Sequence, residues 1–264
     1  MNDEAAILTE QAHGVATVTL NRPDRHNAFD DVFIAELTAV LREIERDDGV
    51  RVVVLAGNGK SFSAGADLNW MRRMAGYTRE QNEADALALA ELMETLDGLA
   101  KPTIARVHGA AFGGGVGLVA CCDIAIAAGT ASFCLSEVKL GLIPAAISPY
   151  VVKAMGEQQA RRYFVTAERF DAAEAVRIGL IHEQVPAGEL DARIDHLITQ
   201  MRGNGPEAMA ASKDLARAVG RGPVDRAMIE DTARRIAAIR VGAEGQEGIG
   251  AFLEKRKPAW VEES

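Results

Sequence analysis

The chain has 264 residues and a formal net charge of −9, a balance that opposes the phosphate-backbone contacts of nucleic-acid binding, so no nucleic acid is expected as a partner. Its 48% hydrophobic and 25% charged residues are those of an ordinary globular protein large enough to bury a substantial core. No apolar run approaches the roughly 20 residues that span a bilayer, and the acidic opening "MNDEAAILTE" lacks the basic flank and apolar core of a secretory signal, so no membrane partner and a cytoplasmic location are expected.

In chain order, "GVATVTL" and "RVVVLAG" are β-branched runs of strand length. Between them, "DDVFIAELTAVLREIERDD" places Phe33, Leu37, Val40, Leu41 and Ile44 at helical spacing. The opening pattern is strand, helix, strand. Residues 80–100 form a second amphipathic helix with Leu89, Leu92, Met93, Leu96 and Leu99 on one face, and Pro102 stops it before the strand "TIARVHG". "DIAIAA" and "GLIHEQVP" read as further short strands. Beyond about residue 200 no strand-like run remains, and the segments 205–220, 222–240 and 243–256 are helical in period and broken by glycines. The chain therefore divides into a mixed strand-and-helix core over 1–200 and a helical segment over 201–264. At the end of that segment, "GIGAFLEKRKPAW" sets positive charge beside Phe252 and Trp260, which taken alone is a solvated helix end.

Cys121, Cys122 and Cys134 cannot all pair, and their apolar flanks mark them as buried small hydrophobes rather than a metal or redox set. The glycine run in "GAAFGGGVGLVACCDIAIA" has three competing explanations. A P-loop fails, because "GKS" at Gly59 to Ser61 has Val54 where the first glycine belongs. A dinucleotide-binding turn matches Gly115, Gly117 and Ala120, with Glu137 near the ribose-binding spacing, but the helix that follows has barely two turns. An oxyanion site fits better: bare glycines let a carbonyl approach a backbone N–H at a helix start. The second donor would come from the small-residue loop "SFSAGAD". Two convergent N–H groups point to acyl or enolate chemistry.

"HNAF", "FSAGADL", "HGAAFGGGVGL", "CCDIAIA", "LSEVKLGLIPA" and "AFLEKRK" occur in the order typical of the enoyl-CoA hydratase/isomerase family, the crotonases, which the chain resembles over nearly its whole length. Within that family, "CLSEVKLGLIPAAISPYVVKAMGE" and "ARRYFVTAERF" are most similar to bacterial methylglutaconyl-CoA hydratases and the related carboxygeranoyl-CoA and isohexenylglutaconyl-CoA hydratases. The resemblance implies an α/β fold, a spiral of strand-strand-helix turns, followed by a helical segment used for trimer contacts. It implies an acyl-CoA substrate, no metal, no cofactor beyond the substrate's own coenzyme A, and a homotrimer or dimer of trimers.

By the same resemblance, the N–H groups of Ala66 and Gly114 form the oxyanion hole. Asn27, Ala28, Ala64, Asp67 and Leu68 line the coenzyme A site, Arg25 meets the CoA phosphates, and Phe252 and Lys255 approach the nucleotide end, in some relatives from a neighbouring subunit. Glu137 is the expected catalytic acid and base. Hydratases of the family typically carry a second glutamate after the triple glycine, and that position is Gly117 here. The implied reaction is hydration of a branched enoyl-CoA, with 3-methylglutaconyl-CoA going to 3-hydroxy-3-methylglutaryl-CoA. The alternatives are the terpenoid analogues, a single-glutamate Δ3,Δ2-enoyl-CoA isomerase, and a CoA-thioester-binding or RNA-associated protein without catalysis. His108 and Asp123 read as structural, and Ser148 and Tyr150 as candidates for the acyl pocket.

Overall fold

The computed structural model describes residues 5–220 and 222–261. Strands β1 (Ile7–Ala12) and β2 (Val15–Leu20) form an antiparallel hairpin turned at His13 and Gly14, both at positive φ. Along β2, Ala16, Val18 and Leu20 are buried at the period of two that a strand imposes. Helix α1 (Asp31–Arg46) starts where the Asp30 carboxylate accepts the N–H of Phe33 at 2.8 Å. It buries Phe33, Leu37, Leu41 and Ile44 as its spacing predicts, adds Ile34, and leaves Val40 half-buried.

From β3 (Val52–Gly57), which runs parallel to β2, the chain repeats one unit. β3 is followed by β4 (Ser61–Ala64), α2 (Leu68–Met74) and α3 (Arg79–Gly98). β5 (Thr103–Val107) is followed by β6 (Ala110–Phe112) and α4 (Gly114–Cys121), and β7 (Ile124–Ala128) by β8 (Ser132–Cys134) and α5 (Ser148–Thr166). β9 (Phe170–Asp171), α6 (Ala172–Arg177) and β10 (Glu183–Val185) complete the sheets. One sheet has the order β1-β2-β3-β5-β7-β10, the other β4-β6-β8-β9. Each turn thus adds one parallel strand to each sheet, the expected strand-strand-helix spiral. The intervening β6 also separates β5 from the glycine run, unlike a dinucleotide-binding turn.

The first sheet is covered on both faces, which explains why β3 is apolar throughout instead of alternating. Val53 and Leu55 enter the main core with α1 and α3, whereas Val52 and Val54 pack with Leu190 and Ile194 of α7 (Leu190–Arg202). The expected helical segments appear as α8 (Pro206–Val219), α9 (Arg226–Val241) and α10 (Ala243–Glu254). Arg51, at the entry to β3, anchors them by donating to the carbonyls of Trp260 at 2.9 Å and Asn204 at 2.7 Å. Ile229, Val241, Phe252 and Leu253 remain exposed on them.

Candidate active site

Strands β4, β6 and β8 are parallel, and their last residues stand in register: Ala64 opposite Phe112, and Phe112 opposite Cys134. The segments that follow therefore emerge side by side, Gly65-Ala66 from β4, Gly113-Gly114 from β6 and Leu135-Ser136-Glu137 from β8. Together with α2, α3 and residues 140–147 they enclose a cavity of about 740 Å³. Its size and largely apolar wall suit an acyl group.

Two backbone donors open on this cavity. Gly113 precedes α4 at φ 52° and ψ −119°, a conformation that favours glycine, and its own N–H is used on Cys134 O at 2.9 Å. Gly114 is the first residue of α4, so its N–H has no intrahelical acceptor. Ala66 lies in a parallel bridge with Phe29, in which Phe29 N–H donates to Gly65 O and Asp67 N–H to Phe29 O, each at 2.7 Å. That pattern turns the Ala66 N–H away from the bridge. Neither Ala66 N–H nor Gly114 N–H has a hydrogen-bond partner among the described residues.

The neighbouring glycines are bare for packing reasons as well. A Cβ at Gly114 would lie 2.8 Å from Phe29 Cε2, and one at Gly115 would lie 2.5 Å from Ser63 O. At Gly117 a Cβ would overlap Ile147 Cγ2 and stand 3.1 Å from Met93 Sδ. The space beside Gly117, where the resemblance leads one to expect a second glutamate, is thus filled by apolar side chains.

Glu137 opens the 3-10 turn Glu137–Leu140, and its Oε2 is buried with no hydrogen-bond partner. A Cβ at Gly113 would come 3.2 Å from Oε1, so this carboxyl lies against the backbone of the glycine turn. Burial raises its pKa above the usual 4.5, only partly offset by a backbone hydrogen bond. A base must be ionised to accept a proton, so turnover is lost as pH falls through the raised value. The acid limb of the kcat/KM profile is expected above pH 4.5 and should vanish in Glu137→Gln; a limb at the ordinary glutamate value would contradict this placement.

The opposite wall is built by α2 and α3, and sequence reading places none of its residues in the site. Trp70 is buried, and its Nε1–H donates to Asp85 Oδ1 at 3.1 Å; Met71, Met74 and Leu89 complete the surface. The Trp70–Asp85 pair joins residues fifteen positions apart on two helices, a separation that carries no periodic signal.

Of the other expected site residues, Ala64 lines the cavity but spends its N–H on His26 O at 2.9 Å. Asn27 is fully buried, and its amide donates to the carbonyls of Asn58 and Ser61, both at 2.9 Å, while its oxygen accepts Arg22 N–H at 2.7 Å. This side chain clamps loops together. Asp67 accepts the N–H groups of Asn69 at 2.8 Å and Trp70 at 3.2 Å, capping α2, and pairs with Arg25 at 3.5 Å. Ala28 is buried with its N–H on Arg25 O, and Leu68 is exposed at the start of α2. Arg25, Asn27, Ala28, Asp67 and Leu68 gather on the β4 side of the cavity without lining it. Phe252 and Lys255, at the end of α10, are exposed and do not line it either.

Ser148 and Tyr150 also lie outside the cavity. The Ser148 hydroxyl donates to Ala145 O at 2.8 Å, and Tyr150 faces a separate cavity beside Asp97 and Lys153. His108 does not line the cavity: its Nε2–H donates to Gly59 O at 2.9 Å, and burial lowers its pKa. Asp123 accepts Thr103 N–H at 2.8 Å and meets Lys213 Nζ at 2.6 Å. All three cysteines are buried and free, and burial pushes the Cys122 thiol up to about 12.

Residues 10–263 match the family model described as enoyl-CoA hydratase/isomerase. The chain is similar to an enoyl-CoA hydratase structure from Shewanella pealeana, with 52% identity and a TM-score of 0.94 over 97% of this chain and 96% of the other. It is similar to the structure of Pseudomonas aeruginosa AtuE at 40% identity and a TM-score of 0.93, covering 98% and 100%. A crotonyl-CoA hydratase of Syntrophomonas wolfei is 32% identical, over 97% of each chain.

Proposed function

Because the chain belongs to the enoyl-CoA hydratase/isomerase family, we propose that it hydrates an enoyl-CoA with Glu137 as its only catalytic carboxylate. The observation that carries this reading is the convergence of two unpartnered N–H groups, from Ala66 and Gly114, with the Glu137 carboxyl, whose Oε2 is unpartnered, in one cavity. The thioester oxygen would accept both N–H groups. Glu137 would take a proton from water as the water oxygen bonds to the β-carbon, and the negative charge would collect on the thioester oxygen as an enolate. Each such donor is worth about 2.7–4 kcal/mol where measured. The proton on Glu137 then passes to the α-carbon, so one water is added and the carboxylate is regenerated.

The finer reading is 3-methylglutaconyl-CoA going to 3-hydroxy-3-methylglutaryl-CoA, supported by the likeness of residues 134–157 to that branch of the family. Arg25 and the main chain around Asn27, Ala28, Asp67 and Leu68 would hold coenzyme A. Residues 201–264 would join copies into a homotrimer or dimer of trimers, bringing Phe252 and Lys255 of one copy toward the nucleotide of another. The exposed apolar side chains of α9 and α10 support that assembly. No further cofactor and a cytoplasmic location belong to the same reading.

The packing of Ile147 over Gly117 favours one competing activity, since double-bond isomerisation needs a single shuttling base. Mass spectrometry of the product separates the two. Hydration gives a thioester heavier by one water, whereas isomerisation gives one of unchanged mass and would overturn the proposal.

A further inference from the structure

The acyl side of the cavity poses a charge problem. The substrate proposed above carries a free carboxylate on its acyl chain, yet among the described residues no Lys, Arg or His lines the cavity, and the ionisable lining groups are the two acids Glu137 and Asp85. A carboxylate brought into such a wall without a partner is strongly disfavoured, and a second carboxylate nearby worsens it unless a proton is shared.

Asp85 is placed to share one. Trp70 Nε1–H holds its Oδ1 at 3.1 Å, and Oδ2 has no hydrogen-bond partner among the described residues. Trp70 is itself only 4% exposed, so the carboxyl is anchored from behind by a rigid ring on α2. Asp85 does not take the place of the absent second glutamate. Met93, which packs against Gly117, is eight residues further along α3, about 12 Å at a rise of about 1.5 Å per residue. Asp85 therefore belongs to the acyl wall with Met71, Met74 and Leu89, at a different level from the floor at Gly117.

We propose that Asp85 is a specificity-determining residue that recognises a free carboxyl group on the acyl chain, the two carboxyls sharing one proton. The inference rests on the reading of the substrate given above. The charged groups that act on Asp85 are Arg73 of α2 and Asp31 at the start of α1, which pairs with Arg73; Glu137 lines the same cavity. Burial is the largest influence and, with Asp31, favours the protonated acid; the Trp70 hydrogen bond and Arg73 oppose it. Raising the pH removes the shared proton and leaves two carboxylates facing each other, so affinity for a carboxylated chain falls with pH.

The test is calorimetric binding of two saturated thioesters that cannot be hydrated, 3-methylglutaryl-CoA and 3-methylbutyryl-CoA, which differ in the acyl carboxylate. For the wild type, Kd of the carboxylated ester is expected to rise about tenfold per pH unit on the alkaline side, with proton uptake on binding. Kd of the other ester should stay flat. Asp85→Ala should shift the affinity ratio against the carboxylated ester by about 10–100-fold, and Asp85→Asn, whose amide donates without titrating, should flatten the pH dependence. Equal effects of Asp85→Ala on both esters, or a pH slope that persists in Asp85→Asn, would overturn the proposal. Turnover of 3-methylglutaconyl-CoA is measured separately. Its absence beside a normal binding ratio counts against the reaction, not against Asp85.

Discussion

Replacing Glu137 with glutamine is expected to lower kcat by about 10²–10⁴-fold, the usual contribution of a positioned acid or base, while binding of saturated acyl-CoA changes little. The amide keeps the size of the carboxyl but can neither take a proton from water nor return one to carbon. The fold should tolerate it, because Oε2 has no hydrogen bond to lose. Nor does the change touch the two backbone donors, which would still grip the thioester oxygen. A variant with normal KM and collapsed kcat identifies a group that acts on the reacting atoms. Wild-type kcat in this variant would remove Glu137 from the chemistry.

Gly117→Glu, which would restore the second carboxylate common among relatives, is expected to destabilise the protein rather than accelerate it. The new Cβ would overlap Ile147 Cγ2 and come 2.9 Å from Ile147 Cβ, in a part of α4 that is fully buried. Overpacking of this kind costs about 1–3 kcal/mol, and an unpaired charge forced into the same apolar contact adds several more. The denaturant midpoint should fall sharply, and Ile147→Ala in the same chain should recover part of the loss by opening space. A Gly117→Glu variant with an unchanged midpoint and faster hydration would show that this site accommodates two carboxylates.

How much was legible depended on element length and on where partners lie in the sequence. β2, β3, β5 and α1 are long enough for their apolar spacing to be read directly, and they form where that spacing predicts. β4, β6 and β8 have only three or four residues, too few for a period, yet their common register brings Ala66, Gly114 and Glu137 together. The bare loops made two converging backbone donors foreseeable, but only the resemblance identified Ala66 and Gly114 within them and set Glu137 beside them. The sequence also shows that a carboxylate is missing at Gly117 but not why, because the residue that fills the space, Ile147, is thirty positions away on another turn of the spiral.

Polar motif residues were harder to assign than glycines. Asn27 and Asp67 stand where relatives line coenzyme A, but here both side chains are spent on internal hydrogen bonds, clamping loops and capping α2. Such a residue shapes the site through the backbone it fixes. Trp70 and Asp85 are the converse case. Neither belongs to a spacing pattern, and only the packing of α2 against α3 makes them neighbours on the cavity wall.

The most direct test of single-carboxylate hydration follows the enoyl-thioester absorbance of 3-methylglutaconyl-CoA with the wild type and Glu137→Gln side by side. The wild type is expected to consume the absorbance and the variant to leave it. Equal rates in both, or no loss with the wild type on either 3-methylglutaconyl-CoA or crotonyl-CoA, would contradict the assignment.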